Sequence, residues 1–299
     1  RAWRIRPMRQ RQRDDMVLLA HIREQHRLSL QSYSRPCMTE ELQEPGRKIG
    51  HCRIGRLMRE NDIKIVRTQQ YKATTDSNHT FNIMPNLLDQ DFSADGPNQK
   101  WAGDISYIWT SEGWPYLAVI IDLCSRRVIG WALSGMLRKT CWAVVRNRMQ
   151  QNLAIRALDM EVALRQPPEG CIHHTDRGSQ YCSGDHQKQL SKHGFKVSMS
   201  GKGKCYDNSM VETFLKCIKA ELIWRNRWET RRQAKGAIFK YISRFSNPRR
   251  HHSSLGGKSP LAFEQKATSM ELIDRDPSPT RTVTAKCQCH SPQLRKVFQ

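Results

Sequence analysis

Three acidic residues carry the chemistry open to this chain. Asp104 opens the run Asp-Ile-Ser-Tyr-Ile-Trp-Thr, which reads as a strand. Asp176 follows a short apolar stretch in Cys-Ile-His-His-Thr-Asp-Arg-Gly-Ser-Gln-Tyr, and Glu212 lies in Asp-Asn-Ser-Met-Val-Glu-Thr-Phe-Leu-Lys, which reads as a helix. Phosphodiester chemistry by two metal ions needs carboxylates that converge from separate elements, because hard divalent cations prefer oxygen ligands. Taken singly, each acid could equally be a cap, a turn residue or a surface charge. The background is strongly basic: 50 Lys+Arg against 28 Asp+Glu, a formal charge of +22 and a pI near 9.9. Such a balance implies a polyanionic partner, so the expected substrate is DNA or RNA, cut or joined.

The elements that must position these acids follow from periodicity and punctuation. Residues 14–68 read as helical, with Val17, Leu18, Leu19, Ile22 and His26 near one face and Gly46–Gly50 as a turn. In His51–Asn61, Ile54, Leu57 and Met58 take core spacing and leave Arg53, Arg56 and Arg59 outward. A short basic helix after a glycine turn suits a helix-turn-helix reader; an amphipathic helix with a solvated basic face is the bland alternative. Residues 69–96 are polar and read as a linker. From Trp101 three strands separated by tight turns form a meander, followed by a helix over Lys139–Leu164 closed by Gln166-Pro167-Pro168. A strand at Cys171–His173, a helix near Gly184–His193, a strand at Phe195–Met199 and a long helix from about Asp207 complete the order β-β-β-α-β-α-β-α. That is a ribonuclease-H-like α/β fold, a mixed five-stranded sheet with helices on its faces. It occupies residues 97–267 together with basic C-terminal helices, and residues 268–299 read as a disordered tail.

The spacing then becomes specific, since thirty-five residues separate Asp176 from Glu212. The chain resembles the transposases of bacterial insertion sequences in the IS-three family, second-frame products of the retroviral-integrase-like superfamily. The matching blocks are Pro97-Asn-Gln-Lys-Trp-Ala-Gly-Asp104-Ile-Ser-Tyr-Ile, His174-Thr-Asp176-Arg-Gly-Ser-Gln-Tyr181, Ser198 through Phe214, and Asn247-Pro-Arg-Arg-His-His-Ser-Ser-Leu-Gly-Gly-Lys-Ser-Pro260. The resemblance implies metal-dependent DNA cleavage and strand transfer, with Asp104, Asp176 and Glu212 clamping two Mg²⁺ ions (Mn²⁺ as a substitute). It also implies double-stranded DNA partners, namely element ends and target, a homodimer on DNA, and fusion to or partnership with an upstream-frame product. A non-catalytic DNA-binding regulator and a nuclease of RNA–DNA hybrids are the competing readings.

Further residues take subsidiary roles. Lys219, two helical turns after Glu212, shares its face, and the resemblance implies that it contacts DNA there, with Lys216 as its substitute. Lys202 and Lys204, in a Gly/Lys loop, and Arg249 and Arg250, with His251 and His252, are expected to meet phosphates. Asp122 is expected to bond turn amides or Arg126 rather than a metal, and Asp207 or Asn208 to cap the Glu212 helix. Ten scattered cysteines without a Cys-x-x-Cys pair suit a reducing bacterial cytoplasm, and the spacing of Cys287, Cys289 and His290 is wrong for a zinc finger. No apolar run reaches about eighteen residues, so no membrane span is expected. The first residue is Arg, as in a fragment or a downstream reading frame.

Overall fold

A computed structural model describes residues 8–66, 83–134, 143–202 and 204–275. The expectations for the first seven residues, for the first half of the linker (69–82) and for the cysteines and tail beyond 275 lie outside the described residues. Three helices come first: α1 (Gln10–Leu28), α2 (Arg35–Gln43) and α3 (His51–Glu60). They pack through Leu18 and Ile22 of α1, Met38 and Leu42 of α2, and Ile54, Leu57 and Met58 of α3, each set at helical spacing. Val17, expected on that buried face, is instead exposed, since it falls a quarter-turn from Leu18.

The α/β core is built on β1 (Lys100–Tyr107), β2 (Tyr116–Asp122), β3 (Val128–Leu133), β4 (Ile172–Thr175) and β5 (Lys196–Met199), with spatial order β3-β2-β1-β4-β5. β1 and β2 pair antiparallel, as do β2 and β3, whereas β4 lies parallel to both β1 and β5. The mixed sheet and its element order agree with the sequence. Alternation along β2 shows how it is covered. Leu117, Val119 and Ile121 enter the apolar cluster shared with Val211, Leu215 and Ile218 of helix α6 (Ser209–Ile218). Ala118 and Ile120 enter the cluster on the opposite face with Leu153, Ala157 and Leu158 of α4 (Ala143–Arg165) and Leu190 of α5 (Gly184–Lys192). Strands buried on both faces read as nearly continuous apolar runs, which is why Tyr-Leu-Ala-Val-Ile-Ile showed no polar face. Gly130 of β3 lets α4 come close, because a Cβ there would stand 2.6 Å from the carbonyl oxygen of Ala157.

Two boundaries differ from the sequence reading. Residues expected to belong to a linker pack on the core: Leu88 is buried, and the Leu87 amide donates to Ser198 Oγ at 2.8 Å. A polar sequence hid this because the contacts are hydrogen bonds made by side chains of the core. Among the described residues α7 (Arg231–Tyr241) and α8 (Pro260–Arg275) come last, and α8 continues beyond residue 267. Glu264 of α8 anchors it through Arg127 and Arg165, which lie 2.5 and 2.7 Å from its carboxylate oxygens.

Candidate active site

Strand register brings the first two acids together. Gly103 of β1 pairs with Thr175 of β4, so Asp104 and Asp176 are the next residues on adjacent parallel strands. Asp104 is not at a strand end, as expected, but midway along β1. The reason is that β1 runs on with antiparallel β2 as far as Tyr107, while four-residue β4 stops at Thr175. The sheet therefore opens on one side of Asp104. Pleating then selects the face: Ala102 belongs to the α6-side cluster, so Asp104 and Ser106 point the same way. Glu212 arrives from α6 on that face.

The helix is fixed to the strand beside Asp104. Buried Asn208, one turn before Glu212, donates from Nδ2 to the carbonyl oxygen of Gly103 at 3.1 Å. Asn208 is the residue that precedes α6, but its side chain bonds β1 instead of capping the helix. Asp207 is not a cap either. It is fully buried in a 3₁₀ turn (Cys205–Asn208) and accepts from Gly201 N at 2.8 Å, Asn86 Nδ2 at 3.0 Å and Gln90 Nε2 at 3.1 Å. It thus ties the Gly/Lys loop and the pre-core segment to the start of α6. Tertiary partners outbid the local cap because three donors reach one buried carboxylate.

The electrostatics single out Asp104. Burial, then Asp176, then Glu212, push its carboxyl well above the usual carboxylate range, against the opposing pull of the Ile105 amide and Lys219. Its Oδ1 accepts from that amide at 2.7 Å, and Asp176 Oδ1 accepts from Gly178 N at 3.0 Å. Glu212 Oε2 stands 3.4 Å from Lys216 Nζ. Buried Tyr181 joins the site, its hydroxyl pushed up by burial and then by Asp104 and Asp176. Sequence reasoning did not single out Tyr181 or the bonding of Asn208, and the signal was faint: both stand within a few residues of an acid but on other turns of the chain. The all-oxygen donor set and the crowding of like charge fit a hard divalent cation, whose charge would relieve the repulsion.

The other expected site residues divide sharply. Lys219 opens a π-helical turn (Lys219–Ile223) and is buried, with Nζ donating to Ser106 Oγ and lying 5.4 Å from the Tyr107 ring centroid. Its cation therefore faces Asp104 rather than an open surface, and burial pulls its pKa down. Arg53 and Arg56 are part-exposed but engaged: Asp15 of α1 accepts from Arg53 Nε and Arg56 Nη2, both at 2.6 Å, and Glu60 accepts from Arg56 Nη1 at 2.8 Å. Arg250 is taken up by Glu221 and Tyr241 in the core. His251 lies 3.1 Å from Glu41 of α2, so this histidine ties α2 to the C-terminal region. Arg59, Lys202, Lys204 and Arg249 are exposed. Asp122 accepts from the amides of Cys124 (2.9 Å), Ser125 (3.0 Å) and Asn98 (2.7 Å), as a turn residue.

A mixed sheet in this order, with a helix delivering the third carboxylate, defines the integrase-core class of α/β proteins. The family model described as an integrase core domain matches residues 94–205, a second of that description matches 193–260, and an HTH-like domain matches 12–71. The chain is 42% identical over 253 residues to "Transposase InsF for insertion sequence IS3A" of Escherichia coli, covering 85% of this chain and 82% of that one. It is 37% identical over 260 residues to "Insertion element IS600 uncharacterized 31 kDa protein" of Shigella sonnei, covering 87% and 91%. The chain belongs to the IS-three family of insertion-sequence transposases. Among solved structures, the catalytic core domain of HTLV-2 integrase, in complex with magnesium, aligns with a TM-score of 0.42 and 18% identity over 57% of this chain and 99% of that one. No helix among the described residues is long and apolar enough to cross a membrane.

Proposed function

We propose that this transposase-family chain cleaves DNA at the ends of an insertion sequence and transfers the freed strand to target DNA, with Asp104, Asp176 and Glu212 as its catalytic carboxylates. The observation that carries the reading is the convergence of the three from β1, the end of β4 and α6 onto one face of the sheet, with the Asp104 carboxyl pushed well up by its neighbours. These residues would hold Mg²⁺, or Mn²⁺ in its place, in a two-ion arrangement. Bound there, the cations would supply an activated water or 3′-hydroxyl and stabilisation of the leaving oxygen in an in-line displacement. The chain's own groups do the positioning. Asn208 holds α6 to β1, Lys219 sets a cation beside Asp104, and Tyr181 closes the buried side of the site. Residues 1–68 would act as the DNA-binding helix-turn-helix-like region and 97–267 as the core. Exposed Arg59, Lys202, Lys204 and Arg249 are the phosphate contacts left from the sequence set. Two copies would act on two DNA ends, with an upstream-frame product as partner or fusion.

The test is strand transfer by the purified chain with labelled oligonucleotides carrying the flanking element's ends, in Mg²⁺ or Mn²⁺. The expected result is product with the native chain and none with Glu212→Gln at equal duplex binding. Product undiminished in Glu212→Gln would remove the three carboxylates from the chemistry.

A further inference from the structure

α7 presents a face that the proposed chemistry does not use. Its inner side is settled by Ala234, Ile238 and Tyr241, all buried. On the opposite side Arg232, Lys235, Gly236, Phe239 and Lys240 are exposed, at the i, i+3, i+4, i+7, i+8 spacing of one helix face. No described carboxylate forms an ion pair with Arg232, Lys235 or Lys240; the nearby acids are engaged elsewhere, Glu112 with Arg231, Glu229 with Gln233 and Glu221 with Arg250. Phe239 leaves 54% of its surface in solvent amid these cations.

Gly236 at the centre is the unexpected residue. Glycine inside a helix costs about 1 kcal/mol relative to alanine. Nothing in the fold demands it, because a Cβ there would meet no atom within 4 Å. A bare backbone among three cations is what close approach of another molecule requires, and the charge specifies a polyanion. Arg232 and Lys240 are eight residues apart, about 12 Å along the axis, which is about the width of a duplex major groove. One exposed ring, in place of a row of them, argues against a single-strand stacking platform.

We propose that the outer face of α7 seats the phosphate backbone of duplex DNA independently of the three carboxylates, with Arg232, Lys235 and Lys240 as phosphate contacts and Gly236 at the point of closest approach. The inference rests on the reading of the chain as a DNA-processing enzyme and adds a second DNA surface to it.

The experiment measures affinity of the full chain for a labelled duplex of arbitrary sequence across a salt series, with single-stranded DNA and a structured RNA in parallel. The variant R232E/K235E/K240E is expected to lower the slope of log affinity against log salt by about 3, near 0.9 for each phosphate that the protein no longer neutralises. Gly236→Gln is expected to raise Tm, as a better helix former, and yet weaken duplex binding severalfold. A purely solvated face, or one built for an acidic protein, predicts a higher Tm with unchanged duplex binding, and that result would overturn the proposal, as would an unchanged slope in the triple variant. A slope change confined to single strands or RNA would also overturn it. Should the triple variant misfold, Gly236→Gln still decides the matter. Strand transfer by the native chain, with both α7 variants binding duplex normally, would sink this inference alone. Strand transfer surviving in Glu212→Gln would sink the catalytic reading alone.

Discussion

The active-site face and the N-terminal helices treat charge in opposite ways. Around Asp104 three carboxylates converge in partly buried surroundings with Lys219 as the cation the structure sets against Asp104. In the N-terminal helices two of the three arginines that read as nucleic-acid contacts are paired within the fold, Arg53 with Asp15 and Arg56 with Asp15 and Glu60. Lys216 and Lys219 offset only part of the first group, whereas each paired arginine of the second meets a carboxylate. Like charge crowded enough to push the Asp104 carboxyl well up suits a ligand site, and paired opposite charge marks a structural joint. A basic residue in the sequence thus says little about function until its partner is known.

The largest effect expected from this contrast is on activity. Asp176→Asn should reduce strand transfer by about 10³-fold or more, while duplex affinity stays within twofold (roughly the scatter of surface charge effects). A loss of binding in parallel with activity would place Asp176 among structural joints instead. The next is on stability. Arg250→Ala strands Glu221 in the core and should cost about 3 kcal/mol, read as a lower denaturant midpoint, with much of the loss recovered in Arg250→Met/Glu221→Leu. A midpoint unchanged by Arg250→Ala would return Arg250 to the DNA-contacting set.

Asp15→Ala sharpens the comparison from the other side. Release of Arg53, and loosening of Arg56, which keeps Glu60, should steepen the salt dependence of duplex binding, because at least one more cation becomes available to phosphates. A shallower dependence would mean that Asp15 presents these arginines to DNA. The smallest effect concerns the joint between α2 and the C-terminal region. The hydrogen bond to Glu41 holds His251 above 6.5, and the same bond holds Glu41 below 4.5. The histidine's contribution is complete below 6.5 and is lost as pH rises through its folded value. The glutamate's is complete above 4.5 and is lost as pH falls through its own. The pair, facing Glu44, Glu40 and Tyr33 as well, should therefore stabilise most between those values, by about 1 kcal/mol. Thermal melts of the native chain and His251→Ala should diverge most in that window and converge on the alkaline side; a constant gap would show that His251 acts by packing alone.

Much of the fold was legible in the residues. The apolar runs of β2 and β3, the Gly-Trp-Pro turn and the 3.6-residue spacing of α3 and α6 are local properties, and the sheet with its three helices followed from them. Boundaries were less legible where contacts are remote. Asn86 and Leu87 looked like linker because their partners, Asp207 and Ser198, lie more than a hundred positions away. Asp207 looked like a helix cap for the same reason.

The sequence by itself determined the element order, the basic character and the identity of three acids at a fixed spacing, since residue type and periodicity are written locally. Only the tertiary structure decided which acids share a face, that Lys219 turns inward, that Asn208 ties the Glu212 helix to β1, and which arginines remain exposed. Those outcomes depend on strand register and on the partner that each charge finds across the fold, and neither is encoded in any one stretch of chain.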